Sequence, residues 1–167
     1  MGHRILIRQP TLADMKPFLA AVRGSRGLHH PWVRAPDTPA AFRAYLGRTA
    51  PPDHHAFLVC RRDTQGIVGV INLSNIVRGS FQSGYLGYYA FAGHERQGLM
   101  RQGLGAVVSR AFRSLKLHRL EANIQPGNTA SIALAASCGF QREGYSPRYL
   151  KIDGRWRDHE RWAILAS

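Results

Sequence analysis

Acidic residues and cysteines are scarce in this sequence: of 167 residues, ten are Asp or Glu and two are Cys. Cys60 and Cys138 lie far apart, with no CxxC spacing and no Cys/His pattern, so neither a zinc site nor a disulfide framework is indicated. Both fit as small buried apolar groups. No apolar run approaches the roughly 18 residues that a membrane helix needs. Met1 to Pro10 also lacks the basic, apolar, small-residue order of a secretion signal. These absences predict a soluble, cytoplasmic chain with no membrane partner and no metal. Internal repeats, low-complexity tracts and linkers are missing too, so a single domain over residues 1–167 is expected.

Arginine, by contrast, is abundant. The formal net charge is +13, and all 23 basic residues except Lys16, Lys116 and Lys151 are arginine. A guanidinium fork suits phosphate and carboxylate, so a polyanionic ligand, an acidic protein segment or RNA fits this balance. A merely solvated surface fits it equally well, because the arginines are scattered.

Hydrophobic spacing divides the chain into short elements. Residues 3–8 read as a strand ended by Pro10, and Thr11 with Asp14 opens a helix whose stripe runs from Leu12 to Val22. Ser25 to Asp37 reads as a loop, and Thr38-Pro39 opens a second helix. Three strands follow at Ala56–Arg61, Ile67–Val77 and Phe81–Phe91. The longest helical pattern is Gly98–Leu115. After it come a strand (His118–Ile124), a short Ala-rich helix (Asn128–Ser137) and two strands, Arg148–Ile152 and Arg155–Leu165, around Asp153-Gly154. The order β-α-α-β-β-β-α-β-α-β-β predicts an α/β fold with a mixed sheet layered by helices.

Chemistry enters where the strand ending at Phe91 runs through a glycine-bearing loop into the Gly98 helix. Such a junction aims unpaired backbone N–H groups and the positive end of the helix dipole at whatever lies in front, which makes it an anion site. Gly98 lets the main chain approach a phosphate, and Arg96 and Arg101 could add charge at its edge, although glycine and arginine also open helices for purely structural reasons. Neither GxGxxG nor GxxxxGKS/T is present, which disfavours dinucleotide and nucleoside triphosphate sites.

The stretch Glu95-Arg96-Gln97-Gly98-Leu99-Met100 resembles the acyl-CoA-binding motif of GNAT acetyltransferases: Gln or Arg, two residues, Gly, one residue, then Gly or Ala. Glu95 and Met100 depart from that pattern. The backbone amides remain available, but a carboxylate at position 95 would repel a phosphate. His118–Ala122, Pro126–Ser131 and Cys138–Phe140, with Arg142–Tyr145 and Tyr149–His159, are similar to the second half of the RimJ/RimL group of that superfamily.

The resemblance implies a GNAT fold: a mixed, mostly antiparallel central sheet with helices on both faces and a splayed strand pair holding acetyl-CoA. It further implies direct acetyl transfer to an amine in a ternary complex. Main-chain groups of Tyr89, Ala90 and Phe91 would pair with pantetheine, the Arg96, Gln97, Gly98, Leu99, Met100 and Arg101 segment would hold the diphosphate, and Asn128 and Ser131 would lie beside the pantetheine arm. Ser131 would hydrogen-bond the departing thiolate or else cap its helix. Among the ten acids, Glu121 sits on the strand that should flank the thioester, where it serves as general base or pairs with an arginine. His29, His30 and Trp32 either line the amine pocket or simply pack their loop.

An α-amine titrates near 7.7–8.0, so about a tenth is neutral at pH 7 and no strong base is required. The reading that follows is an N-acetyltransferase acting on the N-terminal α-amine of a protein, a ribosomal protein within this group. A small-molecule amine, or a ribosome- or RNA-associated protein without turnover, are the alternatives. Monomer and homodimer are both open.

Overall fold

The computed structural model describes residues 3–167. Seven strands, β1 (Ile5–Arg8), β2 (His55–Arg61), β3 (Ile67–Val77), β4 (Ser83–Ala90), β5 (Arg119–Ile124), β6 (Gln141–Ile152) and β7 (Arg155–Leu165), form one sheet in the order β1-β2-β3-β4-β5-β7-β6. All neighbours are antiparallel except β4 and β5, which run parallel. The helices are α1 (Met15–Gly24), preceded by a 3-10 turn at Leu12–Asp14, then α2 (Arg26–His29), α3 (Pro39–Arg48), α4 (Leu99–Arg113) and α5 (Thr129–Ser137). None of the described helices is long and apolar enough to cross a membrane.

Strand alternation builds two cores, one on each face of the sheet. Leu120, Ala122 and Ile124 of β5 are buried with Leu104, Val107 and Ala111 of α4 and Ala135 of α5. On the opposite face, Phe18 of α1 and Phe42 and Tyr45 of α3 pack with Leu58, Val70 and Phe91. Phe18 touches Phe42 and Phe91 at centroid distances of 4.8 and 5.6 Å. Burying a phenylalanine stabilises by about 1.5–3 kcal/mol, so this aromatic group is enough to hold α1 and α3 to the sheet. The start of the first helical segment is tied down as its sequence predicts. Asp14 accepts from Thr11 N–H at 2.8 Å and from both Arg8 guanidinium nitrogens at 2.7 and 2.8 Å, and Arg8 holds its carboxyl below the usual range.

Some boundaries differ from the sequence reading. The expected loop Ser25–Asp37 contains α2. The strand expected from Phe81 begins at Ser83, because Gln82 has a left-handed φ of 44° and its carbonyl is spent on His118 and Arg119 N–H. The strand expected from Arg148 already begins at Gln141, since Gly144 and Pro147 sit at two bulges on an edge strand without ending it.

One topological feature positions the site. β4 and β5 pair from Ser83↔Arg119 only to Leu86↔Ala122. Beyond that point β4 stays with β3 as far as Gly69↔Ala90, while β5 stays with β7 as far as Ile124↔Glu160. The two central strands therefore part as a fork, leaving edges that face each other without strand pairing between them.

Candidate active site

A cavity of about 790 Å³ occupies the fork. Its walls come from both faces of the sheet: Met100, Asn128, Ser131 and Leu134 on the α4–α5 side, and Trp32, Tyr85, Tyr149 and His159 on the other. Between them lie β4 from Leu86 to Ala90 and β5 from Ala122 to Ile124, so the space passes through the sheet.

The N-terminus of α4 forms one end of the site. Gly98 caps the helix at φ 72°, ψ 12°, a left-handed conformation natural to glycine. The first intrahelical bond recorded there is Gln102 N–H to the Gly98 carbonyl at 3.2 Å, so the N–H groups of Leu99, Met100 and Arg101 have no helix carbonyl to meet. The loop before it is tightly coiled, with left-handed φ at Gly93 and Arg96 as well. Glu95 is turned back onto its own loop: its carboxylate accepts from Gly93 N–H at 2.9 Å, and backbone donors hold its pKa below the usual value. The side chain that would repel a phosphate is thereby engaged by its own backbone.

α5 forms the adjoining wall. Asn128 caps it, its Oδ1 accepting from Ser131 N–H at 3.3 Å. Tyr88 of β4 donates its hydroxyl proton to the Ser131 carbonyl at 2.9 Å, fastening α5 to the fork, and burial pushes the Tyr88 hydroxyl up to about 12. The Ser131 hydroxyl makes no hydrogen bond among the described residues.

A parallel strand pair that parts around a cavity, with a free-amide helix start beside it, has a counterpart among known proteins. Residues 4–141 match the family model of the acetyltransferase (GNAT) domain. The chain belongs to the GNAT acetyltransferase family.

This GNAT chain is 34% identical over 121 residues to the probable N-acetyltransferase YjcK of Bacillus subtilis, covering 72% of the chain and 67% of that protein. It is 46% identical over 97 residues to the ribosomal protein uS5-alanine N-acetyltransferase of Escherichia coli, covering 58% of the chain but only half of that relative. Among solved structures, RimJ of Mycobacterium smegmatis in complex with CoA-disulfide superposes with a TM-score of 0.89 at 25% identity, covering 97% of this chain and 82% of that one. The ribosomal-protein-S5-alanine acetyltransferase of Vibrio fischeri superposes at 0.84, also at 25% identity, covering 99% and 94%. GNAT acetyltransferases use acetyl-CoA as acetyl donor.

Against this GNAT frame, the residues singled out in the sequence fall into two sets. Tyr89, Ala90, Met100, Asn128, Ser131, His29 and Trp32 all line the cavity. Phe91 does not: its N–H donates to the Val68 carbonyl at 2.8 Å and its ring is buried in the core under α1 and α3. Leu99 is likewise a core residue, leaving only its backbone for a ligand. Gln97 is occupied on both sides, its side-chain oxygen accepting from Arg61 at 3.0 Å and its carbonyl from Arg4. Arg96 and Arg101 are exposed, the latter in an open groove along α4 with Arg4, Arg110 and Arg113.

His29 is buried, and its Nε2–H must donate to the Ala90 carbonyl at 2.8 Å, since a carbonyl can only accept. Its ring also meets Tyr89 edge-on at 5.1 Å, so it braces the end of β4. His30 is exposed and outside the cavity. Trp32 arrives from the α2–α3 connection, where its carbonyl accepts from Gln125 at 3.3 Å.

Glu121 is not brought to the cavity. Its carboxylate is held by Arg119 at 2.9 Å, and Arg119 also grips Glu143 at 2.6 Å. The sequence-derived candidate for general base is thus one corner of an ion-pair triad. No Asp, Glu, Lys or Arg lines the cavity among the described residues. Sequence reasoning missed Asn72, Tyr85, Asn123, Gln125, Tyr149 and His159, all of which line it. For Asn123 and Gln125 a signal existed, because they alternate with apolar Ala122 and Ile124 along β5 and just past its end.

Proposed function

We propose that this GNAT domain acetylates the N-terminal α-amine of a protein, with a ribosomal protein as the acceptor class, at the fork between β4 and β5. The observation that carries the reading is the uncharged cavity through the sheet. The α4–α5 side fits acetyl-CoA: free amides at Leu99, Met100 and Arg101 suit its diphosphate, and the unpaired edges of β4 and β5 suit the pantetheine amides. Asn128 and Ser131 would lie beside that arm, the Ser131 hydroxyl being free to hydrogen-bond the sulfur that leaves. When bound, acetyl-CoA supplies a thioester carbonyl for attack; the protein's part is to align the amine and exclude water.

The opposite mouth selects the acceptor. Asn72, Asn75, Asn123 and Gln125 present carboxamides, which match the N–H and C=O groups of a peptide main chain. A polyamine carries several positive charges and calls for carboxylates in its site, and the lining offers none among the described residues. That disfavours a small polycation, even though spermidine N(1)-acetyltransferase of Vibrio cholerae is 30% identical over 74 residues. The arginines beside α4 are the observation behind a weak, salt-sensitive contact with RNA or the ribosome, and such an acceptor would place the chain in the cytoplasm.

Incubating the purified chain with acetyl-CoA and peptides of different first residues, alongside spermidine and other small amines, tests this reading through the free thiol released. Turnover with Ala- or Ser-initiated peptides supports it. Turnover confined to small amines would overturn it.

A further inference from the structure

Two proton acceptors in the cavity have no donor among the described residues. The Asn123 Oδ1 is buried and has no hydrogen-bond partner among the described residues. His159 is only 2% exposed, yet it lines the cavity, and its one hydrogen bond runs from Nδ1 to the Arg157 carbonyl at 2.9 Å. A carbonyl cannot donate, so Nδ1 carries the hydrogen, and in the neutral ring Nε2 is left as a bare acceptor.

The sheet register brings these groups together. Asn123 of β5 lies opposite Arg161 of β7, and His159, two residues before Arg161, shares that face. Arg161 itself is drawn away towards β6, donating to Ser146 at 3.1 Å. Beside the other carboxamides, the acceptor mouth thus offers a buried carboxamide oxygen and the imidazole nitrogen of a largely buried histidine, both able to take an N–H.

We propose that Asn123 Oδ1 and His159 Nε2 form the ammonium-binding pair of the acceptor site, and that His159 is the catalytic base. The proposal rests on the reading that the fork holds the thioester and the attacking amine. The ammonium donates one N–H to Asn123 and passes one proton to His159 Nε2, which frees the nitrogen lone pair. That pair forms the C–N bond at the acetyl carbonyl carbon as the C–S bond breaks and its electrons go to sulfur. A second amine proton reaches the sulfur through the Ser131 hydroxyl, which gives up its own proton and takes this one. One hydrogen stays on the amide, and imidazolium returns its proton to solvent when product leaves.

His159→Asn tests this directly, because the asparagine amide can keep the donor bond to the Arg157 carbonyl while removing Nε2. On whichever acceptor the wild type turns over, kcat should fall about a hundredfold or more, with CoA affinity unchanged. His159→Ala should regain part of the loss when imidazole is added, which no structural defect would do. Asn123→Ala should raise the acceptor KM about tenfold.

A readout without turnover stands beside these. Long-range 1H–15N spectra of the CoA-free protein should show His159 as the Nδ1–H tautomer, with Nε2 shifting when an acceptor peptide is added. Wild-type kcat in His159→Asn, or an Nε2–H tautomer, would overturn the proposal. Turnover limited to small amines would sink the peptide reading instead, and the same variants assayed on that amine would still decide the role of His159.

Discussion

The two mouths of the cavity are made of different materials. On the α4–α5 side the groups facing the fork are mostly main-chain: N–H groups at the start of α4, unpaired strand edges, and a helix fastened by the Asn128 cap and the Tyr88 bond. On the other side they are side chains: Trp32, Tyr85, Tyr149, His159 and four carboxamides. In the function proposed, backbone recognises what all members of a family share, the acetyl donor, whereas side chains can be exchanged without disturbing the sheet and so set the acceptor. Substitutions on the first side should damage CoA binding through conformation, and those on the second should change the acceptor while leaving CoA alone.

Gly98→Pro should break this division most severely. Proline cannot adopt the φ of 72° found there, so the α4 start must refold and CoA affinity, read by calorimetry, should fall about a hundredfold. Unchanged affinity would mean that the amides do not hold the diphosphate.

Ser131→Ala removes only a hydroxyl and keeps the α5 backbone, so kcat should drop about tenfold while acetyl-CoA KM holds. A matching loss of CoA affinity would move Ser131 from the departing sulfur to the pantetheine. Gly127→Ala sharpens the comparison from the other side. A Cβ there would stand 3.0 Å from Trp32 Cη2 and displace the indole, raising the acceptor KM about fivefold in steady-state assays without altering CoA affinity. If CoA binding suffers instead, the two mouths are not independent.

The α4 start and the α5 cap were legible in the sequence because their signals are local. A strand running through a glycine loop into a long helix announces free amides, and an asparagine before an Ala-rich stretch announces a cap; Gly98, Asn128 and Ser131 followed from such patterns together with the family resemblance. The acceptor side was not legible, because it is assembled from segments far apart in the chain. His159 sits in the strongly polar run Arg155–Arg161, and nothing in that run says that Nδ1 is spent on Arg157 while the ring faces a cavity. Glu121 was singled out by elimination among few acids. Arg119, two residues back on the same strand face, was the available sign that its charge was already taken. The fold was legible in its element order; the start of β6 shifted where glycine and proline mark bulges rather than breaks, and that of β4 at the left-handed Gln82.

The proposed function requires that the fork and the α4 start together hold acetyl-CoA. A crystal structure with bound CoA measures it most directly. Diphosphate oxygens should lie within hydrogen-bond distance of the Leu99, Met100 and Arg101 N–H groups, with pantetheine between β4 and β5 and the sulfur near the Ser131 hydroxyl. CoA found elsewhere, with the fork empty, would contradict it.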